Sequence, residues 1–448
     1  MNPVKDMQSI FRDAVREVDP AGLVHSRVKK DGRILVIHGQ DINISEDLSG
    51  YKRIIILGIG KASCSMASAM ENILGDDLSK GFVITKYGHS LKLQKIQVME
   101  AGHPVPDENS MECARILTQM AGTADEHTLI INLISGGGSS LFCLPVDGIS
   151  LEDKRQTTRA LLASGADIDE INCVRKHISK VKGGGLAQIA YPARLINLIL
   201  SDVIGDRIDT IASGITAPDP TTFNDALLIL QKFNIRDKLP KTVIDHLHLG
   251  AQGSIPETPK ANNPVFGNTV NIIMGNNTLA CSAACRSAQT LGYNACILST
   301  TLVGEASQAG ACFALLSKEI DAGKSGPPKP AAIISGGETI VIIRGKGKGG
   351  RNQEMALAFA INLHRLYPPG SRNIFFLSAG TDGSDGPTDA AGAFVTPELM
   401  EKMKDISTEA KACLEENDSY RFFRDTGHLL TTGPTYTNVC DIQILIVV

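Results

Sequence analysis

Leu57-Gly58-Ile59-Gly60-Lys61-Ala62-Ser63 joins an apolar run to a helical pattern. Gly58 and Gly60 would let backbone approach an anion, a helix start offers N–H groups, and Lys61 adds a cation there. The same residues also read as a tight strand–helix turn with a solvated lysine. The full phosphate-loop pattern G-x-x-x-x-G-K-[ST] is missing, and Ser63 stands where G-x-G-x-x-G needs its third glycine.

Ser135-Gly136-Gly137-Gly138-Ser139-Ser140 follows a second apolar run, and three glycines flanked by hydroxyls make a nest of donors suited to phosphate oxygens. A flexible loop has the same composition. Gly102-His103-Pro104-Val105-Pro106-Asp107 brings a histidine to a turn stiffened by prolines. Asp167–Lys182 reads as one helical stretch ending in Arg175, Lys176, His177, Lys180 and Lys182, stopped by Gly183-Gly184-Gly185. Those cations complement a helix dipole or receive a carboxylate substrate. Asp202 lies just past the apolar run Leu195–Leu200, on the rim where open parallel sheets gather ligands, and reads as a base, a metal ligand or a turn residue.

The second half repeats the theme. Ser335-Gly336-Gly337-Glu338-Thr339 and the stretch from Arg344 through Lys346, Lys348 and Arg351 to Glu354 bring glycines and four cations to a helix start, which predicts an anion site. Asp382, Asp385 and Asp389 crowd the turn after another apolar run, as Mg²⁺ ligands or as ordinary Asp-Gly turn chemistry.

These turns need elements to hold them. Short apolar runs at Arg53–Leu57, Phe82–Thr85, Ile96–Met99, Thr128–Ile134 and Leu195–Leu200 alternate with helical patterns, which predicts an α/β fold with a doubly wound parallel sheet. Prolines and glycines from Leu239 to Asn268 predict a connection. The division expected is 1–240 for the N-terminal domain, 241–268 for the connection and 269–448 for the C-terminal region. In that region strands are expected at Val270–Met274, Ala295–Ser299, Ala331–Ile334, Ile340–Ile343, Asn373–Leu377 and Ile442–Val448, with helices from about Thr278, Glu305 and Asn352.

A chain of 448 residues exceeds the size at which one core keeps growing. Net charge of −4, 4% aromatics and no Trp leave neither a basic field nor stacking platforms for nucleic acid. Ten cysteines without a C-x-x-C pair predict free thiols in a reducing compartment. No apolar run reaches membrane-spanning length. Residues 4–18 have helical spacing, but Asp6, Asp13 and Glu17 argue against a transit peptide, so cytoplasm is expected ahead of mitochondria.

Taken together, GIGKAS, GHPVPDENS, LISGGGSSL, VRKHISKVKGGGLA, LSDVIGD, SGGET, GKGGRNQE and SAGTDGSDGPTDAAGA resemble, in order from Gly58 to Ala393, the glycerate 2-kinase family with a MOFRL-type C-terminal domain. The likeness continues in TTGPTYTNVCDI, with Tyr436 where the family usually has glycine. The resemblance implies a Rossmann-like N-terminal domain, a smaller α/β MOFRL domain at about 330–445 and an active site in the cleft between them. It implies ATP and Mg²⁺ as co-reactants, D-glycerate as small-molecule substrate, 2-phosphoglycerate as product, and a monomer or homodimer. Lys61, Asp202 and Arg351 carry over as the catalytic set. Gly58, Gly60, Ser135 to Ser140, Gly336, Gly337 and Glu338 become phosphate or nucleotide contacts. Lys176, Lys182, Asp382, Asp385 and Asp389 become substrate or metal candidates, with Asp382 or Asp202 on the metal.

Two other readings compete. A hydroxypyruvate reductase needs a dinucleotide fingerprint and an acid about 20 residues on, yet Thr85-Lys86-Tyr87 holds no acid. A non-catalytic nucleotide sensor would use the glycine loops for binding only.

Overall fold

The computed structural model describes residues 2–367 and 373–448. They fall into two units: Pro20–Met274 is one, and Gly275–Val448 joined by the chain up to Asp19 is the other.

The Pro20–Met274 unit opens with an antiparallel sheet of β1 (Val28–Asp31), β2 (Ile34–His38) and β3 (Asn43–Asp47). Its main sheet holds β4 (Arg53–Ile59), β5 (Lys80–Lys86), β6 (Ile96–Ala101), β7 (Thr128–Ile134), β8 (Arg194–Leu200) and β9 (Thr269–Gly275). They lie side by side as β6-β5-β4-β7-β8-β9, with the β4–β5, β4–β7, β5–β6 and β7–β8 pairings all parallel. That is the dinucleotide-fold order, and its chain reversal falls between β4 and β7. Helices cover both faces, so strand residues are buried whichever way they point: all seven of β7 are buried. This explains the continuous apolar runs. Reciprocal capping by Asp107 with Ser110, Ser150 with Asp153, Asp167 with Glu170 and Thr222 with Asp225 fixes where four of the helices start.

The other unit is built on a mixed sheet of β10 (Asn294–Leu302), β11 (Ala331–Gly337), β12 (Ile374–Gly380), β13 (Gly392–Val395), β14 (Leu429–Leu430) and β15 (Asp441–Val447). Their order is β10-β11-β15-β12-β13-β14, so β15 pairs antiparallel with both β11 and β12 near the middle. Helices Ala306–Asp321 and Arg351–Leu366 pack on it around Phe313, Phe359 and Phe376, the last two stacked with ring centroids 4.4 Å apart.

Four expectations are corrected. Ile340–Ile343 is not a strand: β11 already has β10 and β15 as neighbours, and only Ile340 forms a bridge, to Glu305. The expected connection contains a helix, Lys241–Ala251, whose Val243, Ile244 and Leu247 are buried with Phe223 and Leu230. The division between units falls at Gly275, not between 241 and 268, and helix Pro3–Glu17 packs in the second unit. Its Asp6 and Asp13 accept from Tyr293 and Ser287, both at 2.6 Å. Finally, the stretch from Asp167 is helical only over Ile168–His177. The glycines after it start the next helix, Gly185–Ala190, whose cap Gly184 has φ 84°.

Among the described residues no helix is long and apolar enough to cross a membrane. All ten cysteines are free thiols and seven are buried.

If Lys241–Ala251 is part of the core, Leu247→Ala, at a position with no exposed surface, should cost about 2–5 kcal/mol in urea unfolding. A loss under about 1 kcal/mol, as expected for a surface connection, would overturn that placement.

Candidate active site

The parallel register aligns Ile84, Ile59, Ile134 and Ile199 across the sheet, so the segments after β5, β4, β7 and β8 leave along one rim. Lys61, the Ser135–Ser140 loop and Asp202 therefore emerge at neighbouring strand ends, and His103 follows β6 in the same layer. This is the edge at which doubly wound sheets hold ligands.

The two glycine loops there have different jobs. In the first, the N–H of Gly60 bonds Ile84 O (3.1 Å), that of Lys61 bonds Gly136 O (2.9 Å), that of Ala62 bonds Ser135 Oγ (3.0 Å) and that of Ser63 bonds Gly60 O (3.3 Å). Its amides are thus bonded to protein here. Gly58 lies within β4, where a Cβ would strike the Val83 side chain, so its glycine is a packing requirement. Gly60 has φ 131°, and a Cβ on it would fall on the Ser135 hydroxyl and carbonyl. In the second loop no protein acceptor meets the N–H groups of Gly136, Gly137, Gly138 and Ser139 among the described residues. Four adjacent donors without a described acceptor form a nest able to receive an anion.

Cations and a neutral imidazole surround that nest. A Cβ on Gly137, φ 86°, would lie 2.8 Å from His103 Cδ2 and 3.5 Å from Lys61 Cγ, so both side chains border the loop. Burial, reinforced by Lys61 and Lys86, pushes His103 down to about 4. His103 is therefore uncharged near neutral pH. His89 is likewise lowered, by burial and then by the same two lysines. On the far side of the loop, Ala212 and Ser213 adopt left-handed φ of 50° and 59°. The Ser213 hydroxyl meets that of Ser139 and donates to Asn172 Oδ1 at 3.0 Å. Strained non-glycine residues packed against an anion loop are a mark of functional sites.

The basic residues after helix Leu151–Ala163 separate into two groups. Lys176 pairs with Asp219 at 3.2 Å, 4% and 0% exposed, and Asp219 also receives Thr221 and Thr258. That satisfied pair is structural, which removes Lys176 from the ligand candidates. Lys182, 1% exposed, donates to the carbonyl of Ser139 at 2.9 Å and approaches its hydroxyl at 3.3 Å. Arg175, one of the cations expected to receive a carboxylate, joins it and reaches Ser139 O at 3.4 Å, and Lys154, which the sequence alone did not single out, lies with them. A signal for Lys154 existed, since it falls with Leu151, Thr157 and Leu161 on the buried stripe of its helix. Asp202 is partly buried at the end of β8.

In the Gly275–Val448 unit the charged groups are largely matched. Arg351 donates to both carboxylate oxygens of Asp441, at 2.5 and 3.0 Å, and to Glu338 at 2.8 Å. Burial opposes its charge, but Asp441 and Glu338 outweigh that and hold it firmly protonated. Asp385 accepts the N–H groups of Asn352 (3.0 Å) and Gln353 (2.8 Å), capping helix Arg351–Leu366 from a distant loop. The expected anion site at that helix start is therefore filled by the protein's own carboxylate. Asp389 accepts from the Tyr420 hydroxyl at 2.7 Å, while Asp382 takes the Ser384 N–H at 3.0 Å in an Asx turn. The three aspartates thus serve separate contacts, and the described residues hold no group of three His, Cys, Asp or Glu side chains placed for one metal ion. Gly336 and Gly337 pass Asn277 and Leu302 too closely for side chains, and Gly345, Gly347 and Gly349 do the same along Glu416–Ser419. Close packing by itself requires glycine at those positions.

Family models and relatives agree with this layout. Residues 6–248 match a domain of unknown function, DUF4147, and residues 331–441 match the MOFRL family. Glycerate 2-kinase of Pyrococcus horikoshii is 43% identical, covering 97% of this chain and 95% of its own. A protein of Agrobacterium vitis named putative hydroxypyruvate reductase is 39% identical over 98% of this chain and 94% of its own. The crystal structure of glycerate kinase from Thermotoga maritima superimposes with a TM-score of 0.85 at 39% identity, covering all of both chains.

Burial raises Asp385 from 3.8 to about 7, the two backbone N–H groups and Arg351 opposing it and Asp441 adding to it. The folded protein thus holds this proton more tightly than the unfolded chain does, so the group's contribution to stability falls as pH rises through that window. Asp385→Asn should flatten the decline in urea-unfolding stability across the window. A variant with the wild-type slope would show that Asp385 is ionised throughout.

Proposed function

The chain belongs to the glycerate kinase family whose second domain is of the MOFRL type, and from that premise we propose that it transfers the γ-phosphate of ATP to the 2-hydroxyl of D-glycerate. The observation that carries the reading is the open donor nest of Gly136 to Ser139 with Lys61 beside it. Phosphoryl transfer asks little covalent chemistry of a protein; it asks for donors and cations where charge spreads over the transferring oxygens. Gly137 and Lys61 supply both, while His103, neutral at working pH, orders the loop without adding charge.

Asp202 orients the acceptor hydroxyl and takes its proton as the oxygen attacks, since it stands on the same rim one strand beyond the nest. Arg351 is anchored by buried Asp441 and shares its remaining N–H group with the more exposed Glu338. An anionic ligand would displace Glu338, so we keep Arg351 as a phosphate-binding residue. Mg²⁺ on a nucleotide needs only one or two protein carboxylates, and Asp202 or the partly exposed Asp382 offers the hard oxygen required. When bound, the ion shields the charge of the phosphate oxygens.

Reduction of hydroxypyruvate is not favoured: the amides of Gly60 to Ser63, which a dinucleotide would need, bond to protein instead.

The expected outcome with purified protein is ATP consumption only when D-glycerate and Mg²⁺ are both present, with phosphorus NMR giving 2-phosphoglycerate. ATP loss without glycerate, or 3-phosphoglycerate as main product, would sink the assignment. Lys61→Ala should lower kcat by roughly 10²–10³-fold without changing the melting temperature. Asp202→Asn should depress kcat more than it raises the glycerate KM, because a proton-accepting contact strengthens toward the transition state. A normal kcat in either variant removes that residue from the mechanism.

A further inference from the structure

Behind the glycine loop lies a feature that phosphoryl transfer as described does not use. Lys154 and Lys182 are 3% and 1% exposed, and Arg175 lies beside them. No described carboxylate pairs with any of the three. Lys154 Nζ and Arg175 Nε have no hydrogen-bond partner among the described residues. Burial lowers Lys154 and Arg175 and takes Lys182 well below the ordinary lysine value, with Arg175 and Lys154 adding their own repulsion to Lys182. Two buried lysines and a partly buried arginine facing one another are a costly arrangement for a fold to keep unless something anionic completes it.

A cavity of about 340 Å³ opens on the group, lined by Pro104, Val105, Ser139, Lys154, Ile171 and Arg175 among others, with no acidic side chain in its wall. Lys182 reaches the same point from behind, through Ser139. The nest that holds phosphate is two residues away: Gly137 carries Lys61 and His103 on its side, while Ser139 carries the buried cations. Consecutive Cα atoms are ~3.8 Å apart, so the Cα atoms of Gly137 and Ser139 lie no more than ~7.6 Å apart.

We propose that Lys154, Arg175 and Lys182 form the pocket for the substrate's carboxylate, and that this pocket makes the protein selective for small 2-hydroxy acids over neutral polyols. The assignment rests on the kinase reading and extends it. With the carboxylate on the Ser139 side, the assignment requires that the hydroxyl on the adjacent carbon, not the one beyond it, be presented to Gly137 and Lys61. Carboxylate capture thus sets which oxygen is phosphorylated, by proximity. Phosphate shares the chemistry that this pocket recognises, so the experiment separates the two sources.

Lys154→Met and Arg175→Gln, made singly, should raise the glycerate KM about tenfold or more and leave the ATP KM within about twofold. They should also narrow the preference for D-glycerate over glycerol. A rise in the ATP KM with an unchanged glycerate KM would give the pocket to nucleotide phosphate and overturn the proposal. Thermal melting supplies a second readout. Without ligand, Lys154→Met should melt at or above the wild-type temperature, since it removes an unpaired buried charge, and the protection that D-glycerate gives wild type should vanish. A variant that melts lower yet keeps full protection by D-glycerate means a structural lysine and overturns the proposal. Calorimetric titration of wild type with D-glycerate, without nucleotide, separates the two readings. Binding that depends on Lys154 and Arg175 without turnover would keep the pocket and end the kinase reading. Turnover with unchanged glycerate KM in both variants would do the reverse.

Discussion

The candidate site depends on how closely Gly60 lies against Ser135. Any side chain at Gly60 would occupy the space of the Ser135 hydroxyl and carbonyl, and it is this contact that lets the amides of Lys61 and Ala62 bond the second loop. The first loop becomes a scaffold for the second. Because its own donors are consumed, the donors of Gly136 to Ser139 are held in place and left open, which is the preorganisation that charge stabilisation requires. The parallel pairing of β4 with β7, at the point where the strand order reverses, makes the contact possible, since it sets these two strand ends side by side.

The two units treat charge in opposite ways. Arg351 has Asp441 and Glu338 as carboxylate partners and the helix start has Asp385, so its local network is closed. Around Ser139 the cations are buried together without acids. At Arg351 an anion must first displace Glu338; around Ser139 no described carboxylate stands in its way. Residue type alone would have ranked the two regions the other way, because the Arg344–Glu354 stretch has more glycine and more exposed lysine.

Much of the fold is legible in the sequence because parallel strands buried on both faces are uninterrupted apolar runs: β4, β7 and β8 stand out for that reason. β1 to β3 do not, since β3 alternates exposed and half-buried residues without a strong apolar face. Ile340–Ile343 misleads in the other sense, being apolar and yet exposed. At the site, Lys61, Lys182 and Asp202 were legible from their place after strands and turns. Lys154 was not, because a single lysine inside an ordinary amphipathic helix announces itself only through its position on the buried stripe. Glycine-rich runs were least informative, as the same residue serves an open nest at Gly137 and plain close packing at Gly347. Tyr436, flagged as a departure from glycine, does take φ 61°, the left-handed conformation that glycine adopts without strain.

Helix Pro3–Glu17 belongs to the unit that begins at Gly275, and this has a consequence for how the protein is made. Its apolar face of Met7, Ile10, Phe11 and Ala14 leaves the ribosome first, whereas helix Asn277–Thr290, whose Ser287 bonds its Asp13, comes last of the pair. At ~5–20 residues per second the intervening chain takes on the order of tens of seconds to appear. Through that interval the entire Pro20–Met274 unit can fold while a greasy helix waits unmatched at its start. Until then that helix face is open to chaperones and to aggregation, and completion of the second unit is what withdraws it from solvent.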